Sequence, residues 1–417
     1  MKLNKSSQLL LVSAASLLVA SLLTACSQLT QTLTVDFVFV ASSKAAGPNN
    51  YGEIDVFEVN SESGRMRQIP ASPFPSGGRY PASEAVSSDN GSLFVANEDD
   101  NTIVQFVIGN DGKLYPFNTV NTPGVFPLAI AANATNLFVV DTYQPLPTCS
   151  TAAPCAGSIA VFPLTAAAKN VPVGIVTPAV TNPAISANYW PLTLAGSPSD
   201  VIVPTGVNLL AGGGYVYVTA YDSSVVPNVG YVFGFSIGLG GVLAPLAGSP
   251  FSAGVQPSAV ASYSSNNSAY VYVTDLKSGN VLGYSVASTT GLLTPLGGNP
   301  FPAGNAPSAI VVDPSFPFAY VANSTDSSVT AYSISNGALT SVGTYPTGVQ
   351  PVAIGIDPST NHFLYTANFL GNNISSFELS QTAGTLLDGQ FSPFAANDQP
   401  TAIAAIPHAG TGSGVLP

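Results

Sequence analysis

Three short signals, each recurring seven times in the same order, predict an all-β protein: a seven-bladed β-propeller of four-stranded antiparallel blades. The first is an apolar run that closes on a small or polar residue. The second is a β-branched residue followed by an aromatic and then an aliphatic one. The third is a proline with an aliphatic residue three places on. Among 417 residues there are 39 Gly and 35 Pro, which makes turns frequent and long helices few.

The apolar runs cover residues 37–41, 93–97, 137–141, 217–220, 272–275, 320–323 and 364–368. Rich in β-branched and aromatic residues and bounded by turn formers, they read as strands. Each is followed by a triplet such as Ile54/Phe57/Val59, Val281/Tyr284/Val286 or Ile374/Phe377/Leu379. Its aromatic and aliphatic members, two residues apart, share one strand face. The prolines Pro81, Pro127, Pro198, Pro257, Pro307, Pro351 and Pro400 lack a donor and belong at strand starts. Their spacing is close to the ~40–50 residues of a propeller blade, the exception being the stretch from Pro127 to Pro198. Thr165 to Ser197, with the sole Trp190, accounts for that excess and is expected to form a flanking lid or partner surface. Segments such as residues 243–251 and 293–301 supply the outer strand and its return loop.

The order of strands at the chain ends favours a closed ring over a solenoid. The repeats begin inside a blade, at residue 37, and finish on a lone proline strand at Pro400. That last strand is expected to complete the first blade and remove two sheet edges.

Composition narrows the partners. Only 7% of residues are charged, against about 25% in ordinary domains. The net charge of −12 becomes −14 once Lys2 and Lys5 are subtracted with the leader, so nothing neutralises nucleic-acid phosphates. No nucleic-acid partner is expected, nor a cofactor or metal, and the protein reads as a monomer.

Lys2 and Lys5 precede an apolar stretch from Leu9 to Leu23, too short to span a bilayer. The stretch ends in Leu23-Thr24-Ala25-Cys26, which resembles the lipobox of bacterial lipoproteins. The resemblance implies cleavage before Cys26, acylation of that residue, and export to a membrane-anchored position; Ser27 points to the outer membrane or cell surface. The expected organisation is a leader over 1–25, a linker over 26–35, a propeller over 36–406 and a tail over 407–417. In an exported chain Cys149 and Cys155, six residues apart, read as a local disulfide. The alternative is a metal site, although no His, Asp or Glu lies within six residues of either thiol.

The Tyr-Val-Thr-Asp of residues 272–275 and the Tyr-Val-Ala-Asn of 320–323 are similar to the repeat of YVTN-type surface propellers. The layout over 36–406 resembles the lactonase family of seven-bladed propellers, which includes 6-phosphogluconolactonase. The resemblance implies the fold and raises hydrolysis of a lactone as an activity. Such enzymes hold anionic substrates in a cation-containing cluster at the channel mouth. Here His362 reads as a solvated turn residue and His408 falls in the tail, so no catalytic residue carries over.

Two carboxylates interrupt the pattern of the channel-lining strands. Glu84 takes the aliphatic slot after Pro81, and Asp200 a small-residue slot after Pro198. With Arg79, two residues before Pro81, they form the candidate ligand site, the alternative being a channel that holds only ordered water. Gly234-Phe-Ser-Ile-Gly238 fits a hydrolase elbow, but its Ser236 falls in mid-strand. The acidic run Glu98-Asp99-Asp100 reads as a solvated turn, with weak Ca²⁺ binding as its alternative. Three functions stay open: a lipid-anchored envelope module binding a small molecule, glycan or protein; a lactone hydrolase; and a structural surface-layer component.

Overall fold

The computed structural model describes residues 35–43, 48–60, 63–166, 171–265, 268–357 and 363–407. The leader with Cys26, both histidines and the tail beyond Pro407 lie outside the described residues. Seven antiparallel sheets follow one another along the chain; six have their strands in sequence order from inner to outer, and the first takes its inner strand from residues 400–406. The inner strands are Pro81–Val86, Val125–Ala132, Ile202–Leu209, Pro257–Ser265, Pro307–Val312, Pro351–Ile356 and Pro400–Ile406. Each contacts the next, and Pro400–Ile406 contacts Pro81–Val86, so the ring closes.

Hydrogen bonds between blades fix the direction of these strands. Thr401 Oγ1 donates to the Pro81 carbonyl at 2.5 Å, Ser258 Oγ to that of Pro307 at 2.5 Å, and Ser308 Oγ to that of Pro351 at 2.7 Å. Neighbouring prolines therefore stand at one level. All inner strands run from an upper face, where they start, to a lower face, where they end.

Closure follows the expected pairing. Pro400–Ile406 lies antiparallel to Val35–Ser42, with Phe37 opposite Ile406 and Val40 opposite Ile403. The approach to that last strand is held by acids of the first blade. Asn397 donates its backbone N–H to Asp55 Oδ2 at 2.7 Å and its side-chain amide to Glu53 Oε2 at 2.5 Å. Burial pushes Asp55 up to about 6 against the opposing pull of the Asn397 bond.

In three blades the polar residue closing the apolar run has a structural duty. Asp141, Asp275 and Asn323 are buried at the ends of second strands. They accept backbone N–H bonds from Gly124 (3.1 Å), Val255 (2.8 Å) and Gly304 (3.0 Å), in the segments leading into their own inner strands. In these three blades the Asp or Asn supplies the acceptor that the entering backbone N–H needs.

Adjacent blades dock through apolar side chains and through one recurring glycine contact. In the turn between third and outer strands, Gly337 has φ 83° and lies against the Tyr270 ring of the preceding blade. A Cβ there would come closer than 3.0 Å to the ring. Gly291 sits on Tyr215 in the same way, and Gly64, Gly112 and Gly384 on Phe363, Phe37 and Phe318. The Tyr272 hydroxyl adds a bond to the Gly337 carbonyl, 2.8 Å.

Blade 3 breaks the rule, because its third-to-outer connection is the long stretch after Thr165. This stretch is no lid. Val173, Ile175 and Ala179 are buried against Phe94, Ile103 and Leu137, between blades 2 and 3. Gln105, fully enclosed, donates to the Val173 carbonyl and accepts the Ile175 N–H at 3.2 Å. Trp190 is likewise core, packed among side chains of blades 3 and 4. A segment with that much apolar surface is more stable wedged into a seam than exposed.

The start of the fourth inner strand corrects the sequence reading. Pro204 stands opposite Ala220 with a bulge before Gly206, as Pro81 stands opposite Asn97 with a bulge before Ser83. Pro204, and not Pro198, is the framework proline. Pro198 and Pro204 each precede a valine by three residues, so the motif alone does not separate them. The Cys149–Cys155 disulfide forms, with Cα atoms 5.5 Å apart, in the upper turn of blade 3 between Asn136–Tyr143 and Ser158–Pro163.

Two outcomes check this architecture. Deleting residues from Pro400 onward removes an inner strand and exposes two edges, so the truncated protein is expected to aggregate or lose its cooperative melt; a melt within a few degrees of wild type contradicts closure. Gly337→Ala combines a φ hostile to a side chain with a clash in a packed seam. It is expected to lower stability by ~2 kcal/mol or more, read from denaturant unfolding.

Candidate functional site at the upper mouth of the channel

Backbone strain is concentrated where the inner strands begin. Tyr80 (φ 51°), Phe126 (61°), Ala306 (53°), Gln350 (59°) and Gln399 (61°) are left-handed, and each directly precedes a framework proline. Non-glycine residues resist this conformation at a cost of ~1 kcal/mol or more apiece. Their carbonyls are pinned to the second-strand turn of the same blade. Tyr80 O accepts the Glu98 N–H at 2.9 Å, Gln350 O that of Phe369 at 2.8 Å, and Gln399 O that of Ser43 at 3.0 Å. The ring thus presents two aromatics and two amides at the mouth, with Gln256 in the same position before Pro257. Phe126 packs edge-on to Tyr143, ring centres 6.0 Å apart.

Arg79, Glu98, Asp99 and Asp100 gather at the mouth on blade 2, while Asp398 directly precedes Gln399 at the last inner strand. Arg79 binds Asp100 through Nε at 2.7 Å and through its second guanidinium nitrogen at 2.6 Å, while its own N–H reaches the other carboxylate oxygen at 2.7 Å. Burial pushes the Asp100 carboxyl up, but the bonds and charge of Arg79 outweigh it and hold the group below the usual range. This pairing also gives Asp100 a partner other than a metal; among the described residues no cluster of acids, His and Cys has the arrangement of a metal site. Glu98, beside the Tyr80 backbone, is raised by burial and by the charge of Asp99. Tyr80 is itself raised by burial and by both acids.

The three sequence candidates do not converge. Arg79 is at the mouth but pairs with Asp100. Asp200 lies outside the inner strand, in a turn closed by its N–H to Ser197 O at 3.2 Å, two residues ahead of Ile202. Glu84 is on the inner strand, opposite Val95, in a slot that Ile130, Val260, Ile310 and Ile403 fill in other blades. Although the residue as a whole is partly exposed, both carboxylate oxygens are enclosed and have no hydrogen-bond partner. Burial alone pushes Glu84 up to about 8, so at neutral pH it is a neutral acid within the wall. The pre-proline ring escaped the sequence reading because left-handed backbone leaves no mark in Tyr, Phe or Gln.

Ser236 lies within the strand Val229–Ile237, as expected, and donates to the Ala244 carbonyl at 3.4 Å. It borders a hollow of about 640 Å³ between blades 4 and 5, which also touches Leu210, Tyr215, Ser264 and Ser268. None of the residues lining that hollow is charged or a histidine, so nothing there activates a serine.

Glu84 gives the fold a pH dependence with a definite sign. Its folded value lies above the unfolded one near 4.5, so its contribution is intact below pH 4.5 and is lost as pH rises toward 8. The full span is on the order of 5 kcal/mol at most. Asp141, pushed up to about 7 by burial, acts in the same direction, which makes the difference between proteins the useful measure. Glu84→Gln is expected to match wild type near pH 4.5 and to melt higher at pH 8 and above; parallel melting curves across that range contradict the enclosed neutral acid.

Residues 297–403 match the family described as lactonase, seven-bladed β-propeller. No curated protein matches the sequence. Among solved structures, a candidate 6-phosphogluconolactonase from Bacteroides uniformis superposes with a TM-score of 0.67 at 17% identity, covering 89% of this chain and 99% of that one. A second candidate of the same description from Bacteroides fragilis gives 0.66 at 19% identity, covering 90% and 99%. The periplasmic gluconolactonase of Pseudomonas aeruginosa gives 0.67 at 17%, covering 89% and 99%. Identities this low speak to fold alone. In fold the chain is a seven-bladed β-propeller, and its residues 297–403 are similar to the lactonase family.

Proposed function

We propose that the protein is an exported, lipid-anchored propeller whose upper mouth binds an uncharged, hydroxyl-rich ligand of the sugar-lactone class. The strained ring before the framework prolines carries this reading. Strain held in place by surrounding bonds gathers where a ligand is met, and here it displays Tyr80, Phe126, Gln350 and Gln399 around one opening. Aromatic faces and amide groups suit a polyol ring, which offers C–H faces and hydroxyls in all directions. The charge balance sets the ligand's sign. With Arg79 engaged by Asp100 and with Glu98 and Asp99 beside it, a phosphate-bearing ligand meets net repulsion.

Hydrolysis is the second reading, favoured by the family match over 297–403 and by the raised acid at the mouth. Glu98 as carboxylate would take a proton from water as the water oxygen attacks the lactone carbonyl carbon. The Tyr80 hydroxyl or Arg79 would meet the developing oxyanion. The ring C–O bond then breaks, and the proton held by Glu98 passes to the leaving alkoxide.

Calorimetric titration with gluconolactone and with neutral hexoses, alongside a pH-stat assay for ring opening above the uncatalysed rate, tests both readings. Gluconolactone is expected to bind, and its 6-phosphorylated form at least ~10-fold more weakly at low salt, as charge repulsion requires. Glu98→Gln is expected to lower ring opening by ~10²-fold or more while leaving affinity within a few-fold, the pattern of a lost base. Binding without turnover retains the binding module and removes the hydrolase; absence of binding by any lactone or hexose removes both.

A further inference from the structure

We infer that the lower face of the ring rests on the membrane and that the mouth opens away from it. This rests on acylation of Cys26, as proposed above. The first strand begins with Val35 at the lower face, because Phe37 pairs with Ile406 at the end of the last inner strand. Only residues 27–34 separate Cys26 from that strand. Fully extended, those eight residues reach ~28 Å. The ring is about as deep as its eight-residue strands, or ~26 Å. A tether rooted at the lower face beside an inner strand cannot travel out to the rim and also climb that depth. The upper face is therefore out of reach of the bilayer.

Charge points the same way. Among the described residues of the upper turns, Glu98, Asp99, Asp100, Asp200, Asp326 and Asp398 outnumber Arg79 and Lys277. Among the described residues of the lower turns the solvent-facing charges balance, Arg65 and Lys113 against Asp89 and Asp111, and Lys113 binds Asp111. Anionic lipid headgroups repel the first face and tolerate the second. Each face carries one strongly exposed aliphatic at a turn tip of blade 4, Val226 above (95% exposed) and Leu239 below (100%). Tether and charge select Leu239. It stands between Gly238 and Gly240 with nothing around it, as a side chain that meets acyl chains would.

The acylated full-length protein is bound to vesicles of phosphatidylethanolamine and phosphatidylglycerol. Leu239→Cys and Val226→Cys are each labelled with an environment-sensitive fluorophore. Selective labelling is available because Cys149 and Cys155 are bonded to each other and acylation takes the Cys26 thiol. With protein on the vesicles, the label at 239 is expected to shift to the blue and to be quenched by a nitroxide in the acyl region, while the label at 226 does neither. Quenching at 226, or at neither position, in vesicle-bound protein overturns the orientation. Acylated protein that does not bind vesicles overturns the anchor beneath it, and leaves the readings of the mouth untouched.

Discussion

A ring of blades stands or falls on the seam between one sheet and the next, since no blade buries both of its faces alone. In this protein the seam is set by a glycine that lies flat on an aromatic ring of the preceding blade, Gly337 on Tyr270 and Gly291 on Tyr215 among five such contacts. With no side chain in the way, the turn approaches the ring directly, and the apolar residues behind it interdigitate. The tyrosine two residues further on then ties the same turn through its hydroxyl, as Tyr272 does at Gly337. Seven similar angles must add to one full turn, which makes the seam distance the quantity that fixes blade number. The enclosed side chains Phe39, Phe94, Phe138, Tyr217 and Tyr272 fill whatever gap that distance leaves.

The architecture was legible because repetition amplifies weak signals. One apolar pentapeptide says little, whereas seven in register with seven triplets and seven prolines define sheet order, strand direction and closure. The reading slipped where the period did. Between Pro127 and the fourth blade the chain carries its long excursion, and two prolines, Pro198 and Pro204, competed for one place. Only strand register decides for Pro204, through the bulge it shares with Pro81. A second repeat was in plain view: Gly followed by an aliphatic residue two places on, at Gly112, Gly241, Gly291, Gly337 and Gly384. It marks the seam, and its meaning depends on what the preceding blade puts beneath it.

The chemistry was less legible, for physical reasons. Glu84 is conspicuous as a carboxylate in an aliphatic slot, and its place on an inner strand was read correctly. Its state was not, since enclosure of both oxygens depends on packing across a seam that sequence does not encode locally. Arg79 was grouped with Glu84 and Asp200, while its partner is Asp100, 21 residues on in the next turn of the same blade. The pre-proline ring consists of residue types that give no hint of left-handed backbone. What reveals it is the set of carbonyl bonds that hold Tyr80, Gln350 and Gln399 in place.

Because Pro400–Ile406 completes the blade that Val35–Ser42 begins, the ring cannot close until residues 400–406 have been made. Val35–Ser42 leaves the ribosome early and must wait with one edge unpaired until residues 400–406 follow. Blades 2 to 7 find their strands locally, in order, and need no such patience. The interval before the final strand arrives is when an unpaired apolar edge is open to a wrong partner. Asp55 and Glu53, which hold Asn397 just ahead of that strand, are placed to shorten it. The same arrangement that leaves the finished ring without a seam of weakness thus concentrates the hazard of assembly at a single late event.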